Sequence, residues 1–249
     1  SISFFFMEHP LVGGYTPGKV ALRRAIGLAF DNQAFIQHVM GGFGVPAQST
    51  VPPHTTGYDP DYRSEMGLRD VARAKALLDL YGYVDRDGDG WREQPDGSPL
   101  VLEYASQSDP ISRQFDELWQ KSLKDLGLRL RIETGQWPEQ LKKARAGRLM
   151  LWMVGYSASD PDVQTGLQLL YGPAAGGQNL ARFRDARYDR LYQEMQALPD
   201  GPERAARLRE INRLVTALAP MHFSVHRIAT DLTQPWLAGY RRPPFGNRF

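Results

Sequence analysis

The chain contains no cysteine. That excludes a disulfide scaffold, thiolate catalysis and a Cys-ligated zinc, and it leaves the compartment open. Long hydrophobic runs are also missing. The longest apolar stretches, Ile2–Met7 and Leu149–Val154, fall far short of the ~18–20 residues a bilayer-spanning helix needs. Charge of one sign is missing too. The 30 Lys+Arg nearly cancel the 28 Asp+Glu to a net +2, and no block of like charge forms a tail. This argues against a nucleic-acid partner held by electrostatics. No basic start leads into an apolar region and a small-residue cleavage site. The chain opens instead on Ser1-Ile2-Ser3-Phe4-Phe5-Phe6, which reads as a strand begun midway, and closes on Gly246-Asn247-Arg248-Phe249 without a polar taper. Both ends are expected to be cuts in a longer protein.

What is present is enough for a sizeable core: 249 residues, 42% of them hydrophobic. Phe4–Met7 reads as a buried strand. Thr16-Pro17 starts a helix, a hydroxyl cap followed by proline at the first helical position, and the apolar spacing predicts that it runs to about Met40. Residues 43–68 read as irregular. Asp70 caps a second helix, stopped by Gly82. From there the order is regular: a strand over Leu100–Ala105, a helix from Asp109-Pro110 to Gly127, an alternating strand Leu128–Ile132, a short helix Trp137–Ala146 and an apolar strand Leu149–Val154. A β-α-β-α-β order implies parallel strands joined by crossover helices, so the fold class is α/β with a sheet covered on its faces. Helices near 185–198 and 202–218 follow. Met221, Phe223 and Val225 then alternate as a last strand, and 233–249 reads as irregular.

Several patterns invite a chemical reading. In Asp85-Arg86-Asp87-Gly88-Asp89-Gly90, carboxylates stand at loop positions one, three and five with glycine at six, as in the start of a calcium loop. Position twelve is Asp96 where the longer glutamate is the usual closing ligand. The plain alternative is a polar turn, since Asp-Gly pairs turn tightly unaided, and it is the preferred one. His222 and His226, four apart on one expected strand, read as packing residues rather than a zinc pair. Gly155–Ser159 lacks the second glycine of a nucleophile elbow. Gly41–Gly44 is no phosphate loop. The segment Leu151–Asp162 differs. A buried strand runs into a loop with aromatics, hydroxyls and acids, and open α/β sheets bind ligands beyond the carboxyl ends of their strands. Trp152 and Tyr156 are candidate apolar walls there, with Ser157 and Asp160 as polar anchors. Asp160-Pro161 equally suits a helix cap. Asn179, in the turn-rich loop after Tyr171, is a further candidate contact.

At these residues the chain resembles the C-terminal half of bacterial extracellular solute-binding proteins of the oligopeptide/dipeptide type, family 5, the receptor subunits of ABC importers. Ala21–Asp31 is similar to the family's R-x-A helix. Ala72–Tyr83 followed by Asp85–Gly90 is similar to its L-L-x-x-x-G-Y…D-G-D-G stretch. Trp152–Tyr156 with Asp160-Pro161 is similar to its W-x-x-D-Y-x-D-P loop, and Asn179 with Tyr188–Leu191 and Ala219-Pro220 also fit in order. The resemblance implies one lobe of a type II periplasmic-binding-protein fold, a mixed and mostly parallel sheet flanked by helices, from a larger two-lobed protein. It implies a lobe over 1–232, hinge strands near 3–7 and 221–232, and a tail over 233–249 returning toward the other lobe. It further implies a monomeric, periplasmic, non-enzymatic receptor with no cofactor, a peptide or peptide-like solute, and an inner-membrane ABC permease as partner. One departure is notable: Gly155 stands where peptide-binding relatives carry the acid that pairs with the solute's α-amino group. The rival readings are a hydrolase using Asp160 with His222 or His226, and a module stabilised by calcium at Asp85, Asp87 and Asp89.

Overall fold

The computed structural model describes residues 2–157 and 161–241. Strands are β1 (Ile2–Phe5), β2 (Gly44–Pro46), β3 (Val101–Ser106), β4 (Arg129–Thr134), β5 (Leu151–Val154), β6 (Met221–Phe223) and β7 (Val225–Arg227). Helices are α1 (Pro17–Ala29), α2 (Asn32–Ala34), α3 (Val71–Leu80), α4 (Pro110–Lys124), α5 (Trp137–Arg145), α6 (Gln164–Leu167), α7 (Ala186–Ala197) and α8 (Pro202–Leu218). Among the described residues no helix is long and apolar enough to cross a membrane.

The main sheet has the order β4-β3-β5-β1-β6. β3 runs parallel to β4 and β5, while β1 is antiparallel to both β5 and β6. Four strands therefore share one direction and β1 alone opposes them. The pleat sends neighbouring residues to opposite faces, and this divides the core. Phe4 pairs with Trp152 and both face α7 and α8, packed with Phe183, Tyr188, Met195 and Ile211. Phe5 pairs with Leu151 on the other face, with Leu22 and Ile26 of α1, Phe30 just after it, and Phe115 and Trp119 of α4. The edge strand β4 carries Arg129, Arg131 and Glu133 on its exposed positions, and such charges discourage further strand pairing.

Three expectations need correction. The first helix does not continue to Met40. Phe30 turns extended (ψ 130°), its ring lying 4.4 Å from the Trp119 ring, and Asp31 restarts the chain by accepting the Ala34 N–H. A π-helical turn over Phe35–Val39 follows. Residues 43–68 are not wholly irregular, since β2 pairs with β7 in a second, two-stranded sheet. The last strand is broken at Ser224. His222 lies on β6 opposite Ser3 in the main sheet, and His226 lies on β7 opposite Val45 in the small one.

Arg23 ties these parts together. It is fully buried, and its guanidinium donates to Val12 O (2.7 Å), Gly14 O (2.9 Å), Leu218 O (2.7 Å) and Ala219 O (3.1 Å). Burial lowers its pKa to about 10, so it stays charged at neutral pH. Replacing it with Met leaves four acceptors short of a donor in the interior. Arg23→Met is expected to cost about 3 kcal/mol or more in urea unfolding; a cost below about 1 kcal/mol would show the carbonyls are served otherwise.

His222 is buried against the Phe30 ring (5.3 Å) and the Trp119 ring (6.0 Å). Burial pushes its pKa down to about 3, and that of His226 down to about 4. Unfolded histidine titrates near 6.5, so the unfolded chain binds more protons below that pH. Stability therefore falls as pH drops from about 6.5 toward 3, by roughly 1.4 kcal/mol per pH unit for His222. Asp116, whose carboxyl burial pushes up to about 6, acts in the opposite sense. The diagnostic is thus the difference between the chain and His222→Asn: the variant's melting temperature should depend less steeply on pH between 6.5 and 4. Equal slopes would remove His222 from the acid response.

Candidate functional site

The carboxyl ends of β3, β4 and β5 end together at Ser106, Thr134 and Val154. The loops that leave this edge form the candidate rim. Each expected site residue can now be placed. Tyr156 is half-buried, packed on the α7–α8 side of the core, and Ser157 is exposed beside it. Gly155 is exposed, and a Cβ built on it meets nothing within 4 Å. Asp160 lies outside the described residues.

Two expected contacts are corrected. Trp152 is only 1% exposed, because the inward pleat of β5 carries it into the core. Its ring is covered by Trp137, 5.0 Å away at 39°, and Trp137 is the aromatic that reaches the surface, 43% exposed at the start of α5. Asn179 is fully buried and its amide is consumed locally. Nδ2 donates to Tyr171 O (3.0 Å) and Phe183 O (2.8 Å), while Oδ1 accepts from Phe183 N (3.1 Å). It holds the loop of residues 171–183 in shape.

Behind the rim stands a polar group that sequence reading missed. Ser106 Oγ donates to Asp116 Oδ2 (2.7 Å), and Gln140 Nε2 donates to Ser106 O (3.4 Å) and Glu133 O (3.0 Å). These bonds lock the ends of β3 and β4 to α4 and α5. Burial raises the Asp116 carboxyl against the help of Ser106, with Asp109 and Glu117 adding repulsion. The signal for it was present: Asp116 occupies the same helical stripe as Phe115, Trp119 and Leu123, where an acid needs a reason. Asp109 is fully used as the cap of α4, accepting from Ile111 N and Ser112 N. After β5, both Asp162 oxygens accept from the single Arg204 nitrogen Nη2 (2.7 and 2.8 Å), and Oδ1 also accepts from Gln164 N (2.8 Å) at the start of α6.

The acidic loop sits elsewhere. Asp89 pairs with Arg129, the first residue of β4, so the loop lies at the opposite end of the sheet from the rim. Carboxylate oxygens of Asp85, Asp87, Asp89 and Glu93 lie within 4.8 Å of one another. Glu93, not Asp96, is the fourth member, since Asp96 folds back onto Ser98 N (2.9 Å) and Oγ (2.7 Å). The acids already accept backbone N–H groups: Asp85 from Gly88 and Gly90, Asp87 from Asp89, Asp89 from Trp91. These bonds and Arg129 hold the turn in shape. Accordingly, saturating calcium or EDTA is expected to leave the melting temperature unchanged; a rise with calcium that EDTA reverses would make the loop a cation site.

The two histidines of the hydrolase reading stand apart, and its acid, Asp160, lies outside the described residues. His222 is enclosed among aromatic rings in the main sheet, and His226 belongs to the other sheet. Among the described residues neither histidine bonds to an acid.

The mixed sheet with one antiparallel strand and helices on both faces has the fold of a lobe of a type II periplasmic binding protein, as its likeness to solved structures shows. Solved structures share it. The oligopeptide-binding protein AppA from Bacillus subtilis, solved with a nonapeptide, superposes with a TM-score of 0.80 at 18% identity, over 91% of this chain and 44% of that one. The Escherichia coli murein tripeptide binding protein MppA gives 0.78 at 20% identity, over 96% and 44%. By sequence, residues 3–178 match the bacterial extracellular solute-binding proteins, family 5, middle region, and the chain belongs to that family. Heme-binding protein A of Haemophilus influenzae is 28% identical over 92% of this chain and 40% of its own length. Di/tripeptide-binding protein 2 of Pseudomonas aeruginosa is 29% identical over 91% and 41%. The chain therefore spans about 40% of the length of these curated relatives.

Proposed function

We propose that this chain is one lobe of the solute-binding component of an ABC importer, a monomeric periplasmic receptor that captures peptides or peptide-like solutes and passes them to an inner-membrane permease. The observation that carries the reading is family membership over residues 3–178, joined to relatives named for di- and tripeptide binding. The rim supports it. Trp137 offers a flat apolar surface, braced from behind by Trp152, Tyr156 adds an aromatic edge, and Ser157 adds a hydroxyl. Flat apolar walls with a few polar groups suit an amphipathic solute enclosed between two lobes. Closure about the strands that join the lobes couples binding to shape. Leu232 and Trp236, 95% and 79% exposed, suit a segment that packs on the remainder of the parent protein. Asp160 enters as a second polar anchor of the same loop. This receptor has no resident cofactor and performs no turnover.

Two measurements on the intact parent test this. Protein purified natively, then denatured and extracted, should release a discrete peptide or peptide-like species near one-to-one by mass spectrometry. Tyr156→Ala and Trp137→Ala should each weaken retention of that species about tenfold, with the fold intact. Retention unchanged in both variants, or turnover of the bound species, would overturn the assignment.

A further inference from the structure

We propose that Arg204 is a positioning residue for the rim: by gripping Asp162 it fixes α6, and α6 in turn fixes the ring of Tyr156. Only the value of a well-placed Tyr156 to a solute rests on the function proposed above; the mechanical coupling does not.

Arg204 stands in the first turn of α8 and is 7% exposed. Its three nitrogens reach three places. Nη2 takes both Asp162 oxygens (2.7 and 2.8 Å), Nη1 takes Asp200 Oδ1 (2.5 Å), and Nε takes Met195 O (3.3 Å) at the end of α7. The loop after β5 is thus fastened to the α7–α8 hairpin. Nη2 alone reaches both Asp162 oxygens, but the guanidinium that carries it is itself held in place by Asp200 and Met195, a three-site grip that a single ammonium cannot span in one plane.

Asp162 transmits that orientation. Its Oδ1, held by Arg204, also accepts the Gln164 N–H that opens α6 (2.8 Å). Val163 and Leu167 on either side are buried in the core, so α6 has little freedom once its start is set. Tyr156 rests on this short helix. A Cβ built on Gly166 would come 3.8 Å from Tyr156 Cε1 and 3.3 Å from Thr50 O, leaving no layer between ring and helix. A second tie, Thr56 N to Pro161 O at 2.7 Å, holds the same stretch from the opposite side.

Magnitudes favour positioning over stability as the role of the Asp162 arm. The Asp162 side chain is 43% exposed, and ion pairs with one member so wetted add little to stability. What the arm supplies is direction. Arg204 keeps its bonds to Asp200 and Met195 whether or not Asp162 is ionised, so the two contributions separate by mutation.

The test needs no solute. The chain is prepared with 13C-labelled tyrosine rings, and the Tyr156 signal is assigned through Tyr156→Phe. Spectra are then compared for Asp162→Asn, Arg204→Lys and the double variant. Each single variant should shift and broaden the Tyr156 signal, and the double should do no more than one single, because both remove the same contact. Tyr62 and Tyr104 should stay in place, and the melting temperature of Asp162→Asn should stay within a few degrees of the parent chain. Should Arg204→Lys fail to fold, Asp162→Asn alone decides. An unmoved Tyr156 signal in Asp162→Asn would overturn the coupling, as would singles whose effects simply add. A Tyr156 signal that moves while Tyr156→Ala leaves solute retention intact would uphold the coupling and defeat only the solute-facing role of the ring.

Discussion

A single buried cation organises the lobe. Arg23 has no carboxylate partner in an ion pair among the described residues. Its charge is met by carbonyl dipoles from two distant places, the loop after β1 and the end of α8. The second of these is the negative end of a helix, where unsatisfied carbonyls gather. Ala219 adopts a left-handed conformation (φ 47°) there, and Pro220 O accepts the Phe5 N–H (3.0 Å). The position of α8 thereby becomes tied to that of β1, and β6 must begin where it can pair beside β1. Arg23 lies on α1, which packs the opposite face, so the two halves of the core are registered through one side chain.

The same registration explains the rim. β5 is placed by β1 on one side and β3 on the other, and β3 is locked at its end through Ser106 to Asp116 and Gln140. The loops that face a solute leave from strand ends whose positions are over-determined. Loops of this kind can carry specificity because the scaffold beneath them does not yield.

Much of this was legible in the chain. The β-α-β-α-β order was, because Asp109-Pro110 and Gly127 punctuate it and Leu128–Ile132 alternates cleanly. The helix stop at Phe30 was not, since the apolar spacing continues to Ile36; the contact that ends α1 is between Phe30 and Trp119, 89 residues later in sequence. Pairing of Gly44–Pro46 with Val225–Arg227 is likewise nonlocal. In the candidate site, the rim loop was found from its strand. Which aromatic surfaces there was hidden, because an apolar run such as Leu151–Val154 does not reveal which face is sealed by a neighbour like Trp137. Asn179 misled because a polar side chain in a glycine-rich loop looks available, whereas its amide replaces missing backbone bonds.

Gly155 gives this arrangement latitude. It stands on the rim at the end of β5, outside the left-handed region, with open space where a side chain would project. Neither backbone strain nor a close core contact demands glycine at this position. A side chain begun there has no described atom within 4 Å of its Cβ. The lobe thus separates the residues that its folding depends on from a rim position where new chemistry can be placed apart from the packed scaffold below.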